Sequence, residues 1–170
     1  MIDLVSELAR ARIGRTYNQY TSSELRRARL RGYLTSRTRA DTILVGEAAG
    51  YRGARVSGVP FTSERQLTGG GPAEATATIV HRVLHELGID DDVLLWNVVP
   101  THPGTPTSNR RPTRTEVLAA RTFLDEVTRG RRVVAVGRLA AEVLDAPYVR
   151  HPSHGGAAEF AAGLRRTLAL

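Results

Sequence analysis

Short β-branched apolar runs that alternate with amphipathic segments constrain this chain more than any other feature in it. Residues 42–45 (TILV), 93–99 (VLLWNVV) and 132–136 (RVVAV) are almost wholly apolar and are each followed by Gly or Pro, the pattern of strands buried on both faces of a parallel sheet. Residues 148–150 offer a shorter fourth strand. Helical spacing is read over 73–87, closed by Gly88, over 113–128 ahead of Gly130, over the short segment 139–144, and over 157–168. Upstream, Ile2, Leu4, Val5, Leu8 and Ile13 predict one helix, and Leu25, Leu30 and Leu34 a second that begins at a Ser22 or Ser23 cap. Such alternation builds an α/β fold with helices on both faces of a parallel sheet, and a length of 170 residues fits one domain over 1–170. No repeat, low-complexity tract or linker divides it.

In open α/β sheets, ligands bind beyond the carboxyl ends of the strands. The segments that leave those ends are GEAAGYRGARVSGVPF, NVVPTHPG and HPSHGG, and they hold most of the chemically interesting residues. Composition removes several chemistries from them. There is no Cys, so disulfides, thiolate nucleophiles, cysteine zinc sites and cysteine-ligated iron-sulfur clusters are excluded. All 24 basic residues are Arg, so Schiff-base and P-loop lysine chemistry are excluded too. The first loop matches neither the Walker pattern nor a clean G-x-G-x-x-G, and no G-x-S-x-G elbow is present. His81 and His85 stand at i, i+4, but no HExxH pattern or third ligand accompanies them, and a metal site is not expected.

The net charge is +7, and residues 1–40 carry nine Arg against Asp3, Glu7 and Glu24. A basic surplus at one end suits a surface that faces a polyanion; solvated helix charges account for it equally well. No apolar run approaches the roughly 18 to 20 residues of a membrane span, and no secretory leader is visible, so a cytoplasmic, nucleoid-associated protein is expected.

Three residues invite functional readings. Glu47 follows the first strand and is either a working carboxylate or a solvated loop acid. Asn97 lies inside an apolar strand, where an unpaired amide costs roughly 1 to 3 kcal/mol. Its partner is either neighbouring backbone or a ligand edge that pairs a donor with an acceptor, such as the amide edge of uracil. His151 is placed to donate to developing negative charge or to cap the next helix.

The segments ILVGEAAGYRGARVSGVPFTSERQL, LLWNVVPTHPG, RVVAVGRLAAEVL and VRHPSHGG, in this order and at these separations, resemble the uracil-DNA glycosylase superfamily from about Tyr17 onward. The resemblance implies a single α/β domain with a central four-stranded parallel sheet flanked by helices, residues 1–40 being its basic helical N-terminal part. It also implies a monomeric enzyme without cofactor or metal that flips a damaged base out of DNA and hydrolyses its N-glycosidic bond. Carried over by position, Gly46, Glu47 and Ala48 belong to the motif that holds water and contacts the base, and Phe61 is the ring on which the base stacks. Asn97 reads the base edge, and His151 stabilises the departing base. Ser153 and His154 fall in the loop that enters DNA, and Arg52, Arg55, Arg110 and Arg111 lie where phosphates pass. The chain departs from the pattern in three places. Ala48 stands where some members carry a water-activating Asp, which leaves Glu47 or electrostatics alone to serve. Ala49 replaces Pro in the G-E-A-P-G motif of a branch that carries an iron-sulfur cluster. His154-Gly155-Gly156 replaces a bulky apolar wedge. The expected substrate is uracil or a related deaminated base, with hypoxanthine, a modified phage-DNA pyrimidine, lesion binding without turnover, and a free nucleoside as the competing readings.

Overall fold

The structure, a computed structural model, describes residues 3–170. Ile2, assigned above to the first helix, lies outside the described residues. In chain order the elements are α1 (Leu4–Arg10), α2 (Glu24–Ser36), β1 (Thr42–Ala48), α3 (Ala54–Ser57), α4 (Glu64–Thr68), α5 (Ala75–Leu87), β2 (Val93–Val99), β3 (Gly104–Thr105), β4 (Ser108–Asn109), α6 (Arg114–Thr128), β5 (Arg132–Val136), α7 (Arg138–Val143), β6 (Tyr148–Val149) and α8 (Ala157–Leu168). Strands β2, β1, β5 and β6 lie side by side in that order, all parallel, and β3 and β4 form a separate antiparallel hairpin.

Side-chain alternation explains why both faces of the sheet are covered. Ile43, Val45, Leu94, Trp96, Val98 and Ala135 point to one face and pack with Val5, Leu8, Leu30 and Leu124 of α1, α2 and α6. Leu44, Val93, Leu95, Val134, Val136 and Val149 point to the other, against Val80, Val83 and Leu84 of α5 and Phe160 and Leu164 of α8. The unpaired edge of β2, buried along its length, is tended by Tyr33 in α2, whose Oη accepts the Leu95 N–H at 2.6 Å.

The sequence reading of β2, β5 and α8 matches the observed bounds, and Ser23, not Ser22, caps α2 by accepting from Arg26 N. The helices read over 73–87, 113–128 and 139–144 are observed one or two residues displaced, as α5, α6 and α7, and two strand boundaries differ. Strand β1 does not stop at Gly46 but continues through Glu47 to Ala48, because Gly46 pairs with Asn97 and Ala48 with Val99 in the β2 ladder. Tertiary pairing here overrides the local preference of glycine. Strand β6 ends at Val149, one residue short, where its pairing with β5 ends. Helices α3 and α4 and the hairpin carry no periodic signal long enough to be read.

The N-terminal segment is tied to the loops that leave β1 and β2. Tyr17 and His102 exchange backbone hydrogen bonds of 2.8 and 2.9 Å, Gln19 Nε2 donates to Pro100 O at 2.9 Å, and Tyr20 Oη donates to Gly58 O at 2.9 Å. The Arg cluster of α2 serves the same purpose. Arg26 donates to Val56 O, Arg27 to Tyr20 O and Arg31 to Asp3, while Arg29 holds Glu64 through two bonds of 2.7 and 3.1 Å. These guanidinium groups brace the fold around the loops at the strand ends.

Candidate active site

The carboxyl ends of β1, β2 and β6 open onto a cleft of about 370 Å³ lined by Glu47, Ala48, Phe61, Asn97 and His151, with Arg52, Glu74 and Arg110 on its walls. Gly46 lies against Phe61 and Asn97 of its lining. A Cβ there would overlap the Phe61 ring and stand 3.1 Å from Asn97 Oδ1, so the missing side chain is what lets an aromatic ring and an amide share one end of the cleft. Phe61 itself takes φ 51, a conformation rare for a residue with a Cβ, at the close of the buried turn Val59–Phe61. Asn97 is 4% exposed, faces this cleft, and makes no side-chain hydrogen bond with any described residue. The backbone partner that a structural Asn needs is missing among the described residues, which leaves the donor and acceptor of the amide open to the cleft.

His151 follows β6 and backs onto Gly137 at the end of β5. Ser153 N donates to its Nδ1 at 3.1 Å, and Ser153 Oγ lies 2.7 Å from the same atom. A backbone N–H only donates, so Nδ1 is an acceptor and the proton of the neutral ring is on Nε2. Burial, reinforced by His154, holds the ring below the usual histidine range. His151 is therefore neutral near pH 7, with an Nε2–H that has no partner among the described residues.

Two carboxyl groups share the cleft. Burial raises the Glu47 carboxyl above the ordinary range, and Arg111 partly offsets that effect. Burial also raises Glu74, with no charged neighbour opposing it. Glu74 precedes α5 in a Gly-rich stretch, GGGPAEA, with nothing in its local pattern to single it out; only its packing against Gly50 and Gly53 brings it to the cleft.

A family model described as the uracil DNA glycosylase superfamily matches residues 34–166. The chain belongs to that superfamily. It is thus a DNA glycosylase, a hydrolase of N-glycosyl bonds. The crystal structure of wild-type Pedobacter heparinus SMUG2 matches with a TM-score of 0.71 at 11% identity, over 99% of this chain and 97% of that one, which establishes the shared fold. Comparison with curated proteins gives no match.

In this glycosylase the remaining candidate residues divide by what their side chains touch. Arg52 is exposed and lies over the Tyr51 ring at 5.3 Å, without a carboxylate partner among the described residues. Arg55 is half-buried and donates to Tyr51 O and Pro106 O. Arg110 lines the cleft while it grips Glu116 at 2.9 and 2.6 Å, and Arg111 pairs with Glu142 at 2.8 Å. Ser153 is engaged by His151, whereas His154 is exposed at φ 52. His81 bonds Thr62 and His85 is exposed beside Asp90. Sequence reasoning passed over His102, which is 1% exposed. Its Nδ1 and Nε2 each lie 2.7 Å from a carbonyl, of Ala49 and Thr105, and so tie the end of the cleft motif to the hairpin. It also passed over Glu116, although Thr113-x-x-Glu116 is the capping-box signature and forms that box here.

Proposed function

We propose that the protein is a monofunctional glycosylase that extrudes uracil, or a related deaminated or modified base, from DNA and leaves an abasic site. The observation that carries this reading is the Asn97 amide: buried, unpartnered, and in one cleft with the Phe61 ring and the free Nε2–H of His151. An amide that offers a donor and an acceptor side by side matches the N3–H and O4 edge of uracil, and the ring beside it gives a flipped base a stacking surface.

The chemistry follows from where charge develops. As the bond from the sugar C1′ to the base nitrogen breaks, its electron pair goes to the base and collects on the ring carbonyl, while the sugar becomes oxocarbenium-like. Neutral His151 donates to that oxygen without first giving up a proton. The Glu47 carboxylate, near the same end of the cleft, stabilises the cationic sugar or accepts the proton of the water that adds to C1′. With no Lys in the chain, a lysine Schiff base for strand cleavage cannot form. Arg52 and its neighbours face the passing phosphates, and the enzyme acts as a cytoplasmic, nucleoid-associated monomer.

Ala48 favours one second reading, lesion binding without turnover, because it offers no carboxylate beside Glu47. The deciding experiment incubates the protein with single- and double-stranded oligonucleotides that carry uracil, hypoxanthine, xanthine or a modified pyrimidine, followed by alkali. Alkali-labile sites at one lesion support the glycosylase; a stable complex without them supports the binding module.

A further inference from the structure

Phe61 gives the cleft its ring while its backbone stands at φ 51, a conformation that persists where the surroundings hold it. Several of the bonds that do so lie inside one loop. Ser57 Oγ accepts from Val59 N at 3.0 Å and donates to Thr62 O at 2.6 Å, and Thr62 Oγ1 donates to Pro60 O at 3.0 Å. Such bonds shape the turn but do not fix it to the sheet. The link from Thr62 to a long helix is His81 of α5, whose Nε2 lies 3.1 Å from Thr62 Oγ1. Because that hydroxyl gives its one proton to Pro60 O, it accepts from His81, and Nε2 carries the ring proton. Burial holds the ring below the usual histidine range, although the Phe61 backbone and Asp90 pull the other way. His81 is therefore neutral near pH 7, with its N–H committed to Thr62.

We infer that His81 is a positioning residue for the base-stacking ring, an inference that rests on the reading of Phe61 as the surface a flipped base meets. At its tip the ring is limited by the bare Cα of Gly46, where a Cβ would overlap Phe61 Cζ. At its root it is followed directly by the buried Thr62, which His81 anchors to a helix whose Val80, Val83 and Leu84 pack on the sheet. Asn97 belongs to β2 of the same sheet. Ring and amide thus keep their spacing through the His81 bond, and without it the turn is free to relax toward a less strained φ and carry the ring away from Asn97. A base stacks on the ring in the same way before and during bond cleavage, so the loss appears as weaker binding and not as slower chemistry.

The test measures single-turnover excision from a uracil-containing oligonucleotide against enzyme concentration for wild type, His81→Ala, His81→Gln and Thr62→Val. His81→Ala is expected to raise the half-saturating concentration about threefold to tenfold, the scale of one hydrogen bond, with the limiting rate within about twofold of wild type. Thr62→Val, of the same shape without the hydroxyl, should match it, and His81→Gln, whose amide N–H replaces the ring N–H, should restore binding. Carbon-13 labelling of the phenylalanine rings supplies a readout independent of activity, because the chain holds three Phe: in His81→Ala the Phe61 signal should shift while those of Phe123 and Phe160 stay. Wild-type half-saturation in folded His81→Ala, no rescue by His81→Gln, or an unmoved Phe61 signal overturns the inference. A lower limiting rate with unchanged half-saturation, or a shift of all three signals, overturns it as well. Wild type that leaves uracil in place removes the uracil reading, and the ring signals then still decide whether His81 holds Phe61.

Discussion

Glu116 is the sharpest place to test how the cleft is held open. Its carboxylate, 2% exposed, accepts from Arg110 at 2.9 and 2.6 Å, from Thr113 N at 2.9 Å and from Arg15 N at 3.2 Å. One carboxylate thus joins the Gly14 turn, the start of α6 and the cleft-lining Arg110. The Arg110 hydrogen bonds, more than any other cause, lower its pKa from 4.5 to about 2. A carboxyl lowered on folding contributes stability above its unfolded pKa and loses it as pH falls through the folded value. At 1.36 kcal/mol per unit, the shift is worth roughly 3 kcal/mol at pH 7. Because Arg110 is 37% exposed, solvent screening brings the expected loss in Glu116→Gln nearer to about 2 kcal/mol. Urea denaturation followed by circular dichroism should show that difference at pH 7, shrinking steadily below pH 4.5. A loss under about 0.5 kcal/mol, the level of an ordinary surface substitution, or one that stays constant down to pH 3, would refute the assignment of Glu116 as the charged hub. The same variant frees Arg110 in the cleft wall and should slow single-turnover excision.

Further outcomes follow from the cleft. Asn97→Ala and His151→Ala should each slow excision at least about tenfold, roughly 1.4 kcal/mol of barrier, without a change in circular dichroism; wild-type rates in folded Asn97→Ala would exclude base reading by that amide. Ionisation of Glu47 is lost as pH falls through a pKa raised above 4.5, so the rate should drop on the acid side at a pH above 4.5, and Glu47→Gln should abolish that limb of the pH–rate profile. Ser153→Ala removes one of two donors to His151 Nδ1 and keeps the backbone N–H, so it should slow excision by only about threefold to tenfold, the scale of one hydrogen bond. A greater loss would mean that Ser153 touches the substrate. Gly46→Ala forces a methyl group into the Phe61 ring and should lower both excision and the melting temperature.

The strand-end motifs were legible because β2 and β5 are apolar runs whose ends are marked by Pro100 and Gly137, and because the sheet rule says where ligands bind once strands are found. Pattern alone could not say where individual polar groups spend their hydrogen bonds. The Arg residues of α2 look like a free basic face when counted as charges. In three dimensions Arg26, Arg27, Arg29 and Arg31 bond carbonyls and carboxylates of their own chain. Asn97 shows the converse. Its place in an apolar strand demanded a partner, and only the fold shows that none of the described residues supplies one. Glu74 and His102 were illegible for a third reason: each gains its place from contact with a glycine or a carbonyl far along the chain, Gly50 in one case and Ala49 in the other. Glycines in the G-E-A-A-G segment therefore mark more than a turn. Gly46 admits Phe61 and Asn97, and Gly50 admits Glu74, so the two bare positions of one motif set both ends of the cleft, and a methyl group at either would press on a side chain that lines it.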